Sequence, residues 1–584
     1  MIVFGDASRV EDSRAKLARL DHQLRRADGM PPVIGRHGAL VTALIEAGEL
    51  VQGIADAAFE ATGRDDASPV TEAAMALATA IARAVRDSWE AGFAGGAVPD
   101  EAAIAAVARA GLPESLRTRR AEGFAYYALY PEAYAVAASA LPPGPVRVIG
   151  IRSIGTTLGA MVAAALDARP PMTVRPVGHP FRRELAVSDA WAGEMLTDRA
   201  CRFAVVDEGP GLSGSSFGAV ADLLDDRGVA PGRVHFFPGH GGAPGPQASA
   251  SHRALWERTP RHVTSLETLL LGTTRPEHRL ESWVAGLVGE AVRPMEDVSG
   301  GAWRALRFAR EAEWPAIHPH QERRKFLHRT AEGTWLVKFA GLGRHGEEAL
   351  ARAEVLSGAG LTPEVAGLCH GFLVERWVED AGPVDPTGEP ASRANAIGRY
   401  IGRRARLLST AAEDGASAAA LWRMARHNAT LALGEEVARG IDRWEPDLPE
   451  LDRRIRRVWT DNRMHAWEWL RRPDGTLLKT DAVDHAAAHD LIGCQDPAWD
   501  VVGAEMEWGI AATDGDRLRG AVEQEWGAPL DPALLAFLRP CYLAFQLGRA
   551  TMAAEASAGW PEEEARGRAA AARYAAHLRG VLTG

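Results

Sequence analysis

From about residue 13 to residue 120 the chain repeats apolar side chains at three- and four-residue intervals. Stretches such as LVTALIEAGELVQGIADAAFEA and EAAMALATAIARAVRDSWEAGF bring their apolar residues to one side of a helix with 3.6 residues per turn. Pro113, in the run Gly-Leu-Pro-Glu, marks one break in this pattern. The spacing therefore predicts a helical amino-terminal region over 1–120.

After the segment LPPGP, short apolar runs alternate with helical segments. VRVIGIRS, CRFAVVDEG and RVHFFPG are rich in β-forming residues, and TLGAMVAAALD and SFGAVADLLDDRG lie between them. This alternation is typical of a parallel sheet with crossover helices, and it predicts an α/β unit over 121–275. Tyr126, Tyr127, Tyr130 and Tyr134 supply four of the seven tyrosines just before its first strand. We expect an aromatic packing seam there; the alternative is a stacking wall for a planar ligand.

The second half begins with residues 276–302, which we interpret as a linker. KFLHRTAEGTWLVKFAG then predicts an antiparallel hairpin turning at Glu332-Gly333, and the chain from about 385 is mostly helical in pattern. The pattern thus predicts a further unit over 303–584. The expected fold class is a multidomain chain of α/β plus α+β type.

Composition narrows the classes of function. With 584 residues, 46% hydrophobic and 24% charged, the chain is typical of a globular protein with several cores. A net charge of -11 argues against a broad nucleic-acid surface, which needs clustered cations. The four cysteines are widely separated and form no CxxC pair, which favours a reduced, cytoplasmic setting. We expect no membrane insertion, since no uncharged apolar run approaches the length of a bilayer span.

The segment FAVVDEGPGLSGSSFGAVADLL orders a buried strand, two adjacent carboxylates, a loop of small residues and a helix. Small residues let backbone N–H groups approach a phosphate, and the amino terminus of the helix adds the positive end of its dipole. Asp207 and Glu208, at the strand end, are expected to face solvent and to be free to bind the diol of a ribose. The order predicts a sugar-phosphate site.

This stretch resembles the phosphoribosyl-pyrophosphate loop of the type I phosphoribosyltransferases, although Leu212-Ser213 stands where the family usually has Thr-Gly. The resemblance implies that Asp207 and Glu208 act in catalysis by holding the ribose. It implies a binding site for phosphoribosyl pyrophosphate formed by two loops and a basic element: Gly211, Leu212, Ser213, Gly214 and Ser215; Arg152, Ser153, Ile154 and Gly155 in VRVIGIRSIGTTLGAM; and Arg182 and Arg183 in HPFRREL.

The implied chemistry is displacement of magnesium-bound pyrophosphate from the anomeric carbon, with arginines neutralising the leaving group. Two alternatives stay open for this half. One is a glycine-rich turn in another doubly wound fold, where ligands also gather at the carboxyl ends of strands. The other is a non-catalytic sensor of the same metabolite.

In the second half, a lysine on a strand is followed by a helix with a glutamate and by a hinge, which is the arrangement that holds ATP phosphates in protein-kinase-like folds. TWLVKFAG supplies the lysine, EEALARAEVLSGAG the glutamate, and GFLVERWVED the hinge, which runs from Glu375 to Val378. The expected ATP-binding residues are Lys338, Glu354, Glu375 and Trp377.

The run from RVWTDN to EMEWG resembles the catalytic region of aminoglycoside phosphotransferases and choline kinases, which implies a bilobal protein-kinase-like domain. The resemblance implies that Asp461 is the catalytic base or orients the hydroxyl, that Asp481 binds magnesium in competition with Asp484, and that DPAWD, Asp496 to Asp500, is structural. In this family an asparagine five positions after the catalytic aspartate binds a second metal, whereas this chain has Ala466. His465 and Glu468 are the expected substitutes.

A zinc site is the rival interpretation of the same region. His485 and His489 are four residues apart on a predicted helix, with Cys494 nearby and His465 upstream. Because there is neither a CxxC pair nor an HExxH core, packing or surface histidines are the commoner explanation.

Together these features predict a bifunctional cytoplasmic enzyme: a phosphoribosyltransferase acting on a small nucleophile, expected to be a nitrogenous base, and an ATP-dependent small-molecule kinase. The expected substrates and cofactors are phosphoribosyl pyrophosphate, ATP and Mg²⁺. Small-molecule substrates are expected as partners, without nucleic acid or membrane, and a homodimer stays open. The competing hypothesis is a regulatory protein that senses a phosphoribosyl metabolite and carries an inactive, nucleotide-binding kinase-like domain.

Overall fold

The structure is a computed structural model that describes residues 1–5, 8–198, 200–384, 390–410 and 414–584, without the side chain of residue 390. Its α-helices are α1 (Ser13–Asp28), α2 (Ile34–Thr62), α3 (Pro69–Glu90), α4 (Glu101–Arg109), α5 (Glu122–Tyr126), α6 (Pro131–Ala138), α7 (Gly155–Ala165), α8 (Asp189–Met195), α9 (Ser215–Asp226), α10 (Ala250–Arg258), α11 (Leu280–Val288), α12 (Gly343–Gly358), α13 (Pro390–Leu407), α14 (Ala418–Leu433), α15 (Glu435–Ala438), α16 (Leu448–Arg454), α17 (Ala498–Glu507), α18 (Ala512–Trp526), α19 (Pro532–Ala556) and α20 (Pro561–Thr583).

The strands fall into five sheets within the described chain. They are β1 (Ser8–Asp12), β2 (Ser115–Arg119), β3 (Val146–Ile151), β4 (Met172–Val174), β5 (Pro176–His179), β6 (Arg182–Leu185), β7 (Arg202–Val206), β8 (Val234–Phe237), β9 (Glu296–Asp297), β10 (Lys325–Thr330), β11 (Gly333–Phe339), β12 (Val365–Cys369), β13 (Phe372–Arg376), β14 (Gly382–Pro383), β15 (Trp469–Arg471) and β16 (Leu477–Lys479).

Helices α1 to α4 make up most of the amino-terminal region, where the sequence predicts helices. Asp12 starts α1, because its side chain accepts a hydrogen bond from the backbone N–H of Ala15 at 2.7 Å. An antiparallel ribbon of β1 and β2 joins the two ends of this region, pairing Ser8 with Arg119. α2 is long and apolar enough to cross a membrane by length and composition, but 89% of its apolar window is buried inside the molecule. Its apolar surface is therefore covered by the protein core.

The expected parallel sheet has the strand order β4-β3-β7-β8, with every neighbouring pair parallel. The chain passes from β3 to the edge strand β4 and then returns to β7, on the other side of β3. The strand order therefore reverses between β3 and β7. In open α/β sheets such a reversal opens a crevice at the carboxyl ends of the strands. The antiparallel hairpin of β5 and β6 follows β4 at that same end of the sheet.

A second, antiparallel sheet has the order β12-β13-β11-β10-β9. The expected hairpin is formed by β10 and β11 of this sheet. Thr330 pairs with Gly333, so the hairpin turn lies at residues 331–332, one residue earlier than expected. The presumed linker over 276–302 is also folded. β9 pairs with β10, and α11 buries Leu280, Trp283 and Val284. These three side chains are apolar, and burying them is favourable, so the segment joins the core.

The carboxyl-terminal half is mostly helical, as expected, with residues 385–389 and 411–413 outside the described chain. α13 packs against α18, and α19 against α20. A small antiparallel sheet, β14-β15-β16, stands beside these helices. β15 and β16 carry the chain between the loops that follow residues 461 and 479.

One hydrophobic core runs through three of the predicted units: the amino-terminal helices, one face of the parallel sheet and the inner face of the five-stranded sheet. Glu132 lies in this core, fully buried, and accepts hydrogen bonds from Nε2 of His37 at 2.8 Å and Nε2 of His370 at 2.7 Å. Burial raises the pKa of the Glu132 carboxyl, but the charge of His370 and the two hydrogen bonds outweigh it and hold this pKa below its usual range.

His370 occupies the two-residue turn between β12 and β13, with φ values of 40° for His370 and 94° for Gly371. Turns with positive φ at both positions strongly favour Asn-Gly, because most side chains resist this conformation. A histidine in this turn is therefore explained by its bond to Glu132. The three residues come from α2, α6 and the β12–β13 turn, so this cluster joins three units.

We expect His370→Ala to destabilise the protein by about 3–5 kcal/mol, because it removes one partner from a buried carboxylate. Urea unfolding at pH 7 would measure the loss, with His427→Ala on the exposed side of α14 as the matched control. Adding Glu132→Gln to His370→Ala should recover part of the loss, since it removes the buried charge. A His370→Ala protein within 1 kcal/mol of the parent would contradict this role.

Candidate functional site

A cleft of about 600 Å³ separates the five-stranded sheet from the carboxyl-terminal helices. Lys338, Glu375 and Trp377 line it from the sheet side, and Asp481 and Glu468 from the opposite side. The segment 303–322 crosses one end of the cleft with Trp303, Trp314 and His318. Most of the predicted ATP and metal residues therefore share one cavity.

Lys338 joins the two sides of the cleft. It lies on β11, a central strand, and its Nζ contacts Oδ1 of Asp481 and lies 3.2 Å from Asp484. The Lys338 side chain is only 1% exposed. Burial lowers the pKa of this amine, but Asp481, Asp484 and Glu375 more than compensate and raise the pKa above its usual value. The lysine stays charged in the cleft.

Glu354, expected beside Lys338, does not enter the cleft. Its side chain is exposed on α12, whereas the neighbouring Arg352 and Ala353 are buried. Arg352 donates from Nε to the backbone carbonyl of Val483 at 2.9 Å. The helix therefore turns a different face inward than the sequence order suggested. The carboxylates bound to Lys338, those of Asp481 and Asp484, come from the opposite side of the cleft instead.

The predicted hinge borders the cleft but is partly occupied by another segment. The guanidinium of Arg307 lies 3.6 Å from the centre of the Trp377 ring and donates to the carbonyl of Val378 at 2.9 Å. Glu375 is buried beside Lys338, and burial raises the pKa of its carboxyl to about 7 despite the opposing effect of the lysine. Segment 303–322 thus covers the hinge.

Two groups of possible metal ligands meet in this region. Asp481, Asp484 and His485 place ligand atoms within 4.8 Å of one another, and so do Asp461, Glu468 and His485. Asp481 adopts a φ of 54°, a conformation that non-glycine residues rarely use and that is concentrated at functional sites. Magnesium prefers oxygen ligands, which Asp481, Asp484 and Glu468 supply.

Of the two expected substitutes for the missing asparagine, the structure brings Glu468 to the metal ligands but not His465. Glu468 accepts from Nζ of Lys479 at 2.7 Å. His465 stacks on Trp467 and lies 3.3 Å from the hydroxyl of Tyr574. Burial lowers the pKa of the His465 imidazole to about 3, so it is neutral at physiological pH.

Asp461 lies behind the cleft wall and is completely buried. Its carboxylate accepts a hydrogen bond from Tyr400 and lies 3.3 Å from both Nζ of Lys479 and Nδ1 of His485. Asp500 accepts the backbone N–H groups of residues 461 and 462 at 2.8 and 2.9 Å, which gives the DPAWD element its structural role. The structure therefore holds Asp461 inside a network of bonds and does not present it to an acceptor.

The alternative zinc site is not assembled in the described chain. His485 starts a short 3₁₀ turn, not the expected α-helix, and it faces Asp461 and Asp481. His489 binds Glu122 at 2.8 Å and stacks on Phe4. The two histidines thus point to different partners, and only His485 belongs to a group with metal-ligand spacing.

A second candidate site lies at the carboxyl ends of β3 and β7. These strands are parallel neighbours with Gly150 opposite Val206, so the loop at residues 152–155 lies beside Asp207 and Glu208. The peptide bond between residues 152 and 153 is cis, and α7 begins at Gly155. The two loops that the sequence proposed are therefore adjacent in space.

Asp207 and Glu208 are more covered than expected. A β-carbon added at Gly123 of α5 would lie 3.0 Å from Oε1 of Glu208, so this carboxylate packs closely against the helix. Burial raises the pKa of Asp207 to about 7, and burial together with the neighbouring Asp207 raises the pKa of Glu208 to about 8. Instead of two free carboxylates at a solvent-facing strand end, the site holds a crowded acid pair.

Several proposed phosphate ligands already have protein partners. The Arg152 guanidinium is buried and bound to Asp56 and Asp65 from the amino-terminal region. The hydroxyls of Ser213 and Ser215 donate to the carbonyl of Pro180, at 3.4 and 3.1 Å. Arg183 donates to the carbonyl of Gly178, whereas Arg182, Gly211 and Leu212 are exposed, and Ser153, Ile154 and Gly214 supply mainly backbone. Arg152 is thus a structural residue in this structure.

The expected tyrosine seam is confirmed. The hydroxyls of Tyr126, Tyr130 and Tyr134 donate to the backbone carbonyls of Ala487, His370 and Asp207. Tyr127 is 43% exposed. The seam ties α5 and α6 to the parallel sheet and to the second half of the chain.

Helix α5 lies between the two candidate sites. On one side Gly123 packs on Glu208. On the other, Arg323 donates to the carbonyl of Ala125 at 2.9 Å, lies over the Tyr126 ring at 4.9 Å and comes within 3.5 Å of Asp484. Two side-chain contacts therefore connect the acid pair with the metal ligands of the cleft.

Sequence reasoning missed Lys479, Arg463 and Arg549. Lys479 precedes Asp481 by two residues in TLLKTD, so a β-strand pattern places both side chains on one face. Arg549 is the one charged residue in the run YLAFQLGRATMAA, which is otherwise typical of a buried helix. An isolated charge in such a run is a signal for function.

No protein-family model matches the chain, and comparison with curated proteins gives no match. Among solved structures it is similar to a choline kinase from Streptococcus pneumoniae (14% identity, 52% of this chain and 98% of the other, TM-score 0.32). It is similar to a putative aminoglycoside phosphotransferase from Ralstonia eutropha (17% identity, 52% and 97%, TM-score 0.35). A macrolide 2'-phosphotransferase type I gives 13% identity, 50% and 95%, and a TM-score of 0.33. Similarity at these TM-scores carries no argument about function.

The raised pKa values at the sheet edge predict a pH effect. Asp207 in the folded protein stays protonated up to about pH 7, whereas its unfolded value is near 3.8, so its contribution to stability is present at low pH and is lost as the pH rises through 7. Asp207→Asn should therefore gain about 1–3 kcal/mol relative to the parent between pH 5 and pH 8.

Urea unfolding at the two pH values measures this difference. The matched control is Asp189→Asn on α8, whose side chain is 95% exposed. An Asp207→Asn effect that is the same at both pH values would show that the carboxyl is ionised throughout.

Proposed function

We propose that the cleft is the active site of an ATP-dependent phosphotransferase that acts on a small molecule. The observation that carries the proposal is the meeting of Lys338, from a central strand of one lobe, with Asp481 and Asp484 from the other. A buried lysine bound to two carboxylates at the edge of a ligand-sized cavity is a charge arrangement suited to phosphoryl transfer. Its order along the chain is the one that the sequence motif predicted.

Each group has a role in this proposal. Asp481 and Asp484, with Glu468 beside them, would hold Mg²⁺, which when bound neutralises charge on the phosphates. Lys338 would bind phosphate oxygens, and the carboxylates that it now contacts would ligate the metal. Trp377 and the backbone near Val378 face the position of the base, where Arg307 now donates to the Val378 carbonyl. Nucleotide entry therefore requires segment 303–322 to adjust around that carbonyl.

Asp461 needs a change of surroundings before it can orient an acceptor hydroxyl. Tyr400, Lys479 and His485 hold it in place, and burial around it is complete. The burial of Asp461 favours a second candidate function, in which the cleft binds a nucleotide and changes conformation without transferring a phosphoryl group. The two candidate functions differ in whether ATP is consumed.

We expect Lys338→Ala to weaken Mg·ATP binding and to lower ATP consumption by at least about a hundredfold, because the lysine is the cation nearest the proposed phosphate position. Calorimetric titration and ADP release would measure the two effects. Arg329→Ala on the adjacent strand β10 is the control. Asp461→Asn should lower turnover and leave nucleotide binding unchanged.

Unchanged ATP binding and turnover in Lys338→Ala would refute the proposed site. Tight Mg·ATP binding in the parent without any ADP release would support the switch and exclude the phosphotransferase.

For the first half we propose a site for phosphoribosyl pyrophosphate at the carboxyl edge of the parallel sheet. The specific observation in its favour is the adjacency of the loop at residues 152–155 to Asp207 and Glu208 at the reversal of strand order. The backbone N–H groups at the start of α9 face the same edge, where they suit a phosphate. Asp207 and Glu208 would accept hydrogen bonds from the ribose hydroxyls once these two carboxyls have lost their protons or share one between them.

We expect the full chain to release pyrophosphate from phosphoribosyl pyrophosphate when Mg²⁺ and an acceptor base are present, and Glu208→Gln to lower that rate by about a hundredfold or more. Glu184→Gln, on the exposed side of β6, is the matched control. Tight binding without pyrophosphate release would indicate a sensor. Equal release by Glu208→Gln and the parent would refute the site.

A further inference from the structure

The cleft wall beyond Asp481 is unusually basic. Nine lysine and arginine side chains line the cavity, against five of aspartate and glutamate. Arg463, Arg549, Arg566 and Arg573 cluster on the side formed by the loop after Asp461, α19 and α20. Lys338 accounts for the phosphates of a nucleotide, so these four arginines need a separate explanation.

Two of the four are neutralised by the protein. Arg566 binds Glu311 at 2.8 Å and Glu563 at 2.6 Å. Arg573 binds Glu507 at 2.9 Å. These pairs leave no spare charge on that part of the wall.

Arg549 is different. Among the residues that the structure describes, it forms no hydrogen bond or ion pair, although it lies on α19 between buried residues. Burial and the charge of Arg463 lower the pKa of this guanidinium to about 10, while Asp490 and Glu468 oppose the shift only in part. The Arg549 side chain is only partly buried and lines the cavity, so its guanidinium is available to an anion that enters the cleft.

Arg463 adds a second incompletely paired cation. Its Nη2 lies 3.6 Å from Asp490, and its Nε is buried without a hydrogen-bond partner. The charges of Asp481 and Asp484 raise the pKa of Arg463, and Arg463 in turn acts on Arg549, so it is near both the metal ligands and Arg549. The two guanidiniums therefore form a cationic pair directly beside the proposed position of phosphoryl transfer.

Small side chains leave room next to this pair. Ala550 and Ala553 on α19 and Ala569 and Ala570 on α20 line the adjacent wall. Trp467 closes the side toward the loop. The space thus combines two donors of fork geometry with an apolar wall, which suits a compact organic anion.

We propose that the acceptor is an anion: a small hydroxylated molecule whose phosphate or carboxylate group is bound by Arg463 and Arg549. The proposal rests on the phosphotransferase function proposed above and names its class of substrate. A cationic acceptor, such as an amine or a quaternary ammonium compound, would meet like charge on this wall and is excluded by it. The arrangement provides charge selection without any contact to the nucleotide.

The test uses the full chain with Mg·ATP and matched acceptors: ribose 5-phosphate against ribose, glycerate against glycerol, and choline as the cation. ADP release should favour the anionic member of each pair by at least about tenfold in kcat/KM, as expected for charge-assisted hydrogen bonds. Comparing ribose 5-phosphate with glycerate shows whether the site prefers a phosphate or a carboxylate group. Higher activity with choline or with the neutral members would overturn the proposal.

Arg549→Gln should raise the KM for the anionic acceptor by about tenfold or more and leave the KM for ATP within about twofold. Arg549→Lys should restore part of the loss, because it restores the charge. Arg568→Gln, exposed on α20, is the matched control. A rise in the KM for ATP instead would show that Arg549 binds the nucleotide and would overturn the proposal.

If none of these acceptors is phosphorylated, titration of inorganic phosphate into the chain saturated with Mg²⁺ and a non-hydrolysable ATP analogue decides the question. Binding that Arg549→Gln abolishes supports the anion site. Analogue binding without phosphate binding overturns the anion site and leaves the proposed function standing. Failure to bind the analogue at all counts against the proposed function itself.

Discussion

The second half of the molecule depends on one buried charge, the amine of Lys338. A lysine that is almost completely out of water is stable only beside carboxylates, and these come from a loop on the far side of the cleft. The same contact sets the distance between the lobes and concentrates acidic ligands at one point. A nucleotide with its metal would exchange one set of charges for another at this point.

Much of the fold follows from local patterns. The amino-terminal helices, three of the four parallel strands and the hairpin carrying Lys338 are each visible in the apolar pattern of the sequence, and the structure contains them. The short strand β4 was not predicted. The sequence also placed Lys338 and Asp481 in one nucleotide site, although it did not predict their direct contact. The tyrosine seam followed from four hydroxyl-bearing rings clustered in one short segment.

The remainder depends on contacts between distant segments. Glu354 misses the cleft because the rotation of α12 is set by what packs beneath it, which no local pattern reveals. Asp461 is buried because Tyr400 and Lys479, 61 and 18 residues away, close around it. Arg152 is bound by acids from the amino-terminal region, and the hinge is covered by Arg307. In the cases of Asp461, Arg152 and the hinge, a second segment supplies a partner that the local sequence does not reveal.

Helix α5 has a thermodynamic consequence. Glu208 packs against Gly123 of α5. Arg323 donates to the backbone carbonyl of Ala125 at the end of α5 and lies 3.5 Å from Asp484. The helix therefore contacts an acidic residue of the first site and is joined through Arg323 to an acidic residue of the second. Occupation of the sheet edge that shifts α5 would alter the affinity of the cleft for the metal and nucleotide proposed for it, and linkage requires the reverse effect to be equal in free energy. The concentration of the ligand at one site would then set the concentration range over which the other site binds its ligand.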